Sequence, residues 1–390
     1  MSNIKKFDKL YIADTYARFD VAFVSGEGSK LYDENGKEYI DLGSGIAVNS
    51  FGVADKDWED AVTNQVKSLQ HISNLYYTEP QVRLAEMLCK RSGMKKVFFG
   101  NSGAEANECA IKAARKYSCD KYGAEAKRNV IITLKNSFHG RTLATLSATG
   151  QDVFHQHFFP FVEGFKFAEP NNAADLKNLI EENNVCAVMI ELVQGEGGVI
   201  ALDKDYVQEI AKISAEKDIL IIIDEIQTGN GRTGSLYCYE QYGIMPDIVT
   251  TAKGLAGGLP LGACLFSEKT KDVLDKSSHG STFGGNPVSC AGAISILSRI
   301  DEALLEDVKK KGEYIKNELS SCKNVKSISG MGLMLGIECE KNSVEVVQEC
   351  LKKGVVVLTA KNKIRLLPAL NIPMTDLEKA IGVIKEVIEE

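Results

Sequence analysis

Two ionisable side chains stand where apolar, β-branched runs end. Asp224 follows Ile221-Ile222-Ile223, and Lys253 follows Ile248-Val249-Thr250-Thr251-Ala252. A lone carboxylate taken out of water needs a partner. At the end of a buried strand Asp224 has two readings. It holds the proton on a ring nitrogen, such as that of a pyridine, or it turns the following loop. The Lys253 amine forms an imine with an aldehyde if it is sheltered, or it is an ordinary solvated loop lysine. The glycines after it, Gly254, Gly257 and Gly258, let a planar group approach the backbone.

Two further segments carry chemistry of the same kind. In Gly100-Asn101-Ser102-Gly103-Ala104-Glu105 a strand leads through small residues into a helix. Ser102 with the amides of Gly103 and Ala104 makes a phosphate cradle at a helix N-terminus, or Ser102 and Glu105 make a capping box. In Ser137-Phe138-His139-Gly140-Arg141-Thr142, Phe138 offers a ring for stacking and Arg141 a planar fork for a carboxylate; the alternatives are a core Phe and a surface Arg. His155 and His157 flank Gln156 in an aromatic stretch, but no third ligand is spaced nearby, so no metal site is predicted.

Positioning these residues takes an α/β sheet. Val97-Phe98-Phe99, Val130-Ile131-Ile132, Val185 to Ile190, Ile219 to Ile223 and Ala263 to Phe266 are short apolar runs separated by amphipathic segments. That alternation predicts a mainly parallel central sheet with helices on both sides, and ligands at the carboxyl ends of its strands. Ala106, Ala110, Ala113 and Tyr117 fall on one face of a helix from Ala104 to Tyr117. The ends read differently. Residues 19–41 give short strands around turns. After Ile300 come a Lys/Glu-rich helix, short strands at Gly332 to Cys339, Val355 to Leu358 and Ile364 to Leu367, and a helix from Thr375 onward. The expected division is a large domain over 45–295 and a smaller α+β domain built from 1–44 and 296–390.

Composition narrows the class. A chain of 390 residues with 25% charged residues and net charge -7 is not patterned for nucleic acid, and apolar runs as short as Ile219 to Ile223 cannot span a bilayer. Ten cysteines without a C-x-x-C pair, and an N-terminal stretch charged at Lys5, Lys6, Asp8 and Lys9, predict a reduced, cytoplasmic protein without a secretory signal.

Six motifs in register, N-S-G-A-E-A-N at 101–107, F-H-G-R-T at 138–142, Q-G-E-G-G at 194–198, D-E-I-Q-T-G at 224–229, A-K-G-L at 252–255 and H-G-S-T-F-G-G-N-P at 279–287, resemble the class III aminotransferases over about Asp14 to Ile388. The resemblance implies a fold type I scaffold and pyridoxal 5'-phosphate as cofactor. It makes Lys253 the Schiff-base lysine and proton shuttle, pairs Asp224 with the pyridine nitrogen, and sets Gln227 near the phenolic oxygen. It assigns Ser102, Gly103 and Ala104 to the phosphate and Phe138 to the ring. It places Thr282 on the phosphate of a neighbouring subunit, which implies a homodimer with shared sites, and puts Ser281 and Tyr16 at the substrate.

Asn74-Leu75-Tyr76-Tyr77 and Gly45-Ile46-Ala47-Val48-Asn49 resemble the branch that acts on N-acetylornithine with glutamate and 2-oxoglutarate. In that branch Arg141 takes the donor's α-carboxylate, Arg365 that of glutamate, and Glu196 gates Arg365. Gly45 stands where ornithine aminotransferases carry Tyr. Succinylornithine, succinyldiaminopimelate and free ornithine are the alternative substrates; a decarboxylase or aminomutase on the same scaffold is the alternative class. Ser50-Phe51-Gly52-Val53-Ala54-Asp55 departs from the family's His-rich turn and is read as structural.

Overall fold

The computed structural model describes residues 3–390. At its centre lies a seven-stranded sheet in the order Lys96–Gly100, Gly262–Phe266, Ile248–Thr251, Leu220–Asp224, Val185–Ile190, Val130–Leu134, Phe165–Ala168. Every pairing is parallel except those made by Gly262–Phe266, which runs against both neighbours. The predicted mainly parallel sheet is therefore observed, with one reversed strand that the apolar pattern does not announce. Strand period explains how the sheet is covered on both faces. Ile221 and Ile223 join one apolar cluster, while Leu220 and Ile222 join another on the opposite face.

Parallel strands put their carboxyl ends on one edge. Gly100, Leu134, Ile190, Asp224 and Thr251 all end there, so the loops that follow them converge. The reversed strand begins at that edge, where Gly262 passes so close to the 101–103 turn that a Cβ on it would sit 2.1 Å from the Ser102 carbonyl oxygen. The helix after that turn, Gly103–Tyr122, is longer than predicted and buries Ala106, Ala110 and Ala113.

A separate apolar cluster runs from Leu42 to residues 308–388. Two four-stranded sheets belong to this part. Phe23–Glu27, Lys30–Asp33 and Glu38–Asp41 are joined by the C-terminal Val355–Val356, which pairs in parallel with Glu38–Asp41. Val325–Met331, Met334–Cys339, Lys363–Leu366 and Leu358–Ala360 form an antiparallel sheet under the helices Glu302–Ser320, Ser343–Lys352 and Met374–Glu389. Arg232 bolts this region to the loop after Asp224. Its guanidinium, 2% exposed, donates to the carbonyls of Leu333 and Pro368, and burial pushes it down to about 9. Among the described residues no helix is long and apolar enough to cross a membrane, and no cluster of His, Cys, Asp and Glu is arranged to hold a metal ion.

Candidate active site

A cavity of about 440 Å³ opens at the carboxyl edge of the large sheet. Ser102, Gly103, Ala104, Phe138, Arg141, Asp224, Gln227 and Lys253 all line it, together with Asn101, His139, Glu191 and the segment 258–261. The first eight arrive from four strand ends, those of Lys96–Gly100, Val130–Leu134, Leu220–Asp224 and Ile248–Thr251, which is why residues scattered over 150 positions meet.

At the helix start Ser102 is extended and its hydroxyl accepts from the Glu105 amide at 3.2 Å, so the residue does cap the helix. The Glu105 carboxylate reaches back to the Asn101 amide at 2.6 Å. The amides of Gly103 and Ala104 find no acceptor among the described residues and point their partial positive charge at the cavity. Capping and anion binding are thus compatible here, since they use different donors.

Asp224 is held from three sides. Its Oδ2 accepts from Asn107 Nδ2 and from His139 Nδ1, each at 2.8 Å, and its Oδ1 accepts from the Ile226 amide at 3.0 Å. Asn107 is fixed in turn by donating to the His139 carbonyl and by accepting from the Thr250 hydroxyl at 2.7 Å. These charge-assisted bonds keep a carboxylate that is 3% exposed in one orientation. Lys253 faces Asp224 across the cavity. Its backbone adopts a left-handed φ of 45°, and its amine makes no hydrogen bond among the described residues. Burial pushes the amine below the usual lysine range, with the nearby Arg365 adding to the effect and Glu196 opposing it. The turn at 50–55 supports this loop: the Ser50 hydroxyl donates to the Gly254 carbonyl at 3.0 Å.

Arg365, 3% exposed, and Glu196 stand behind the lining residue Gln227: Arg365 Nη1 donates to Glu196 Oε1 at 2.6 Å and to Gln227 Oε1 at 3.2 Å. The Arg365 Nε is buried without a partner. Arg141 has no carboxylate partner among the described residues; its guanidinium lies over the rings of Phe154 at 4.0 Å and Phe138 at 5.5 Å. Ser281 sits just outside the lining, its hydroxyl accepting from Asn101 Nδ2 at 3.1 Å. Thr282 is exposed and Tyr16 is 71% exposed; neither lines the cavity.

Several residues in the cavity were not singled out by the sequence. Glu191 follows the buried strand Val185–Ile190, the same signal that marks Asp224, and it accepts from the Phe138 amide at 2.9 Å. Burial pushes its carboxyl up to about 7, with His139 lowering it and Asp224 raising it further. His139 and Asn107 lie inside quoted motifs, but their service to Asp224 depends on packing between two separate strand ends.

The comparisons agree with this geometry. Residues 11–388 match the family model described as aminotransferase class-III. The chain belongs to the class III aminotransferases, enzymes that use pyridoxal phosphate. It is 53% identical to acetylornithine aminotransferase of Haemophilus ducreyi, covering 99% of this chain and 98% of that one. It is 44% identical to acetylornithine aminotransferase of Caldanaerobacter subterraneus, with 98% of each covered. Among solved structures it resembles an ornithine aminotransferase from Toxoplasma gondii, with a TM-score of 0.94 at 28% identity over 99% of this chain and 94% of that one. It also resembles N-acetylornithine aminotransferase from Stenotrophomonas maltophilia, with a TM-score of 0.85 at 31% identity over 98% of both chains.

The residues present fit the cofactor. Free helix-start amides suit a phosphate, a fixed carboxylate suits a protonated ring nitrogen, and an unpartnered amine with a depressed pKa suits an aldehyde. Backbone fills the cradle where side chains cannot: a Cβ on Gly103 would meet Ile226 at 2.7 Å.

Proposed function

We propose that this chain moves the terminal amine of N-acetylornithine to 2-oxoglutarate, giving N-acetylglutamate semialdehyde and glutamate, a step of arginine biosynthesis. One observation carries the reading. Two guanidiniums stand at the site in unlike states: Arg141, lining the cavity without a carboxylate partner among the described residues, and Arg365, behind Gln227 and paired with Glu196. A single site must accept an amine far from its carboxylate in one half-reaction and an α-amino acid in the other. Arg141 serves the distant carboxylate of the first substrate. Arg365, once Glu196 swings aside, serves the α-carboxylate of the second. The names of the relatives at 53% and 44% identity support the same substrate.

The bound cofactor supplies an electrophilic carbonyl and an electron-withdrawing ring. The protein's part is assigned as follows. Lys253 holds the cofactor covalently at rest, and its freed Nζ takes the proton from the carbon bearing the amine and returns it on the other side of the transfer. Asp224 keeps the ring nitrogen protonated. Gln227 would lie near the phenolic oxygen, Ser102, Gly103 and Ala104 would hold the phosphate, and Phe138 would stack on the ring. Gly45, whose backbone is left-handed at φ 62°, leaves room for the acyl group.

The site is completed by a second copy of the chain. Leu75 at 86% and Tyr77 at 99% exposure, with Phe283 beside Thr282, form an apolar surface out of keeping with a monomer. In that homodimer Thr282 reaches the partner's phosphate, and Ser281 and Tyr16 approach substrate. Residues 45–295 form the large domain, and 1–44 with 296–390 the small one, a division supported by the separate apolar clusters. Ten unpaired thiols suit a reducing cytoplasm.

The test is a steady-state comparison of N-acetylornithine, N-succinylornithine, succinyldiaminopimelate and free ornithine as donors, with 2-oxoglutarate as acceptor. The reading requires the highest kcat/KM with N-acetylornithine. A higher value with free ornithine overturns it.

A further inference from the structure

The aromatic stretch from Asp152 to Phe161 has so far been given no task. It begins with a short 3-10 turn, Asp152–Phe154, just outside the residues that line the cavity. The stretch is anchored at His155. The Nε2–H of His155 donates to the Leu146 carbonyl at 2.8 Å, and its ring packs on Phe161 at 5.0 Å and Phe167 at 5.9 Å. This anchor presents the neighbouring Phe154 toward Arg141. The guanidinium carbon of Arg141 stands 4.0 Å from the Phe154 ring centroid, against 5.5 Å from that of Phe138. The two rings meet edge-on at 6.0 Å, so the guanidinium sits in an aromatic corner.

That corner answers a physical problem. Arg141 is exposed and makes no ion pair, and a long side chain in that state samples many rotamers. A planar cation that must meet a carboxylate bidentately gains from having its plane fixed beforehand. An aromatic face fixes the plane without consuming any of the N–H donors, which a carboxylate would do.

We infer that Phe154, held by His155, is a positioning residue that orients the Arg141 guanidinium for the carboxylate of the ω-amine donor, and so helps set specificity for donors whose carboxylate lies far from the reacting amine. The inference rests on the role proposed above for Arg141.

The experiment follows the two half-reactions of the holoenzyme separately by cofactor absorbance, with N-acetylornithine and with glutamate, in Phe154→Leu, Phe154→Tyr, Arg141→Ala and the Phe154→Leu/Arg141→Ala double variant. Loss of a partly exposed cation–π contact predicts a rise of about fivefold in the N-acetylornithine concentration at half-saturation in Phe154→Leu. The maximal rate and the glutamate half-reaction should stay unchanged. Phe154→Tyr, which keeps the aromatic face, should restore wild-type behaviour, and Phe154→Leu should add nothing once Arg141 is Ala. An equal effect on both substrates, or a shifted cofactor spectrum, makes Phe154 mere support for Phe138 and overturns the inference. Additive effects in the double variant overturn it too. If Arg141→Ala spares N-acetylornithine, the reading of Arg141 fails first and takes this one with it. If Arg141→Ala harms that substrate while Phe154→Leu does not, only the inference about Phe154 fails.

Discussion

Two carboxylates at this site, Asp224 in the cavity wall and Glu196 behind it, are built in opposite ways. Asp224 is 3% exposed and accepts from three donors, which come from a helix, the loop after a strand two places away in the sheet and its own loop. Glu196 has a side chain 31% exposed and a single partner, Arg365. Asp224 cannot turn without stranding buried donors, each costing about 1–3 kcal/mol. Glu196 leaves behind one guanidinium that already has a second contact in Gln227. A negative charge that must be constant is over-determined by its neighbours, and one that must come and go is held by a single bond near solvent. The gate proposed here is marked by how little holds it.

The strongest way to break that contrast is at the constant end. Lys253→Ala removes the residue proposed as both covalent anchor of the cofactor and proton carrier. Its turnover should fall by more than the roughly 10²–10⁴-fold of a single acid–base group, with the fold retained by circular dichroism. Near wild-type turnover would show that the catalytic amine lies elsewhere. Asp224→Ala comes next. A fixed charge acting on a developing one in a water-poor site is worth roughly 10²–10³ in rate, so single-turnover deprotonation of either substrate should slow by about that factor. Because the charge is constant, both half-reactions should suffer alike. A loss confined to one substrate would mean that Asp224 is part of the switch and that the contrast drawn here is wrong.

The same contrast explains what could be read from the sequence. Most strands of the large sheet were legible because two-sided burial leaves unbroken runs such as Ile219 to Ile223; the edge strand Phe165–Ala168, only partly buried and interrupted by Lys166, was not. Asp224 and Lys253 were legible because a charge closing such a run is conspicuous. The antiparallel course of Gly262–Phe266 was not, since a buried strand shows the same apolar run in either direction. His139 and Asn107 escaped because their task is to bond Asp224, and Thr250 because it bonds Asn107; hydrogen bonds between residues 85, 117 or 143 positions apart leave no local pattern. Phe154 escaped for a similar reason: its stretch reads as generic aromatic packing until Arg141 is seen above it. The pairing of Arg365 with Glu196 entered only through the family resemblance, because nothing in the spacing of the two residues brings them together.

The movable end gives smaller and more selective effects. Arg365→Ala deletes a buried, charge-assisted carboxylate contact worth roughly 1.5–3 kcal/mol, so the glutamate half-reaction should weaken by about 10-fold to 100-fold. The N-acetylornithine half-reaction, whose carboxylate lies at the other side, should change little. Equal losses in stopped-flow traces for both substrates would end the switch and leave the glutamate carboxylate without a partner.

The smallest effect, and the one that isolates the gate, belongs to Glu196→Gln. The substitution keeps the size of the side chain and one oxygen acceptor but removes its charge, so Arg365 is no longer neutralised when a terminal amine approaches. A free guanidinium repels the ammonium form of that amine and attracts any α-carboxylate in reach. N-acetylornithine should therefore bind worse in its half-reaction while glutamate binds as well as before or better. The magnitude is bounded by the geometry. The guanidinium is buried, but the carboxylate is 31% exposed, and a pair with one solvated partner is worth about 1 kcal/mol, which sets the expected shift near fivefold. Solvent access also makes the effect screenable. Raising the salt from about 0.05 M to 0.5 M shortens the range of charge interactions to a few ångströms and should narrow the difference between Glu196→Gln and wild type. The loss in Asp224→Ala should be insensitive to the same change. If Glu196→Gln harms both substrates equally, or its effect ignores salt while that of Asp224→Ala responds, then Glu196 is a fixed strut of the site and not its gate.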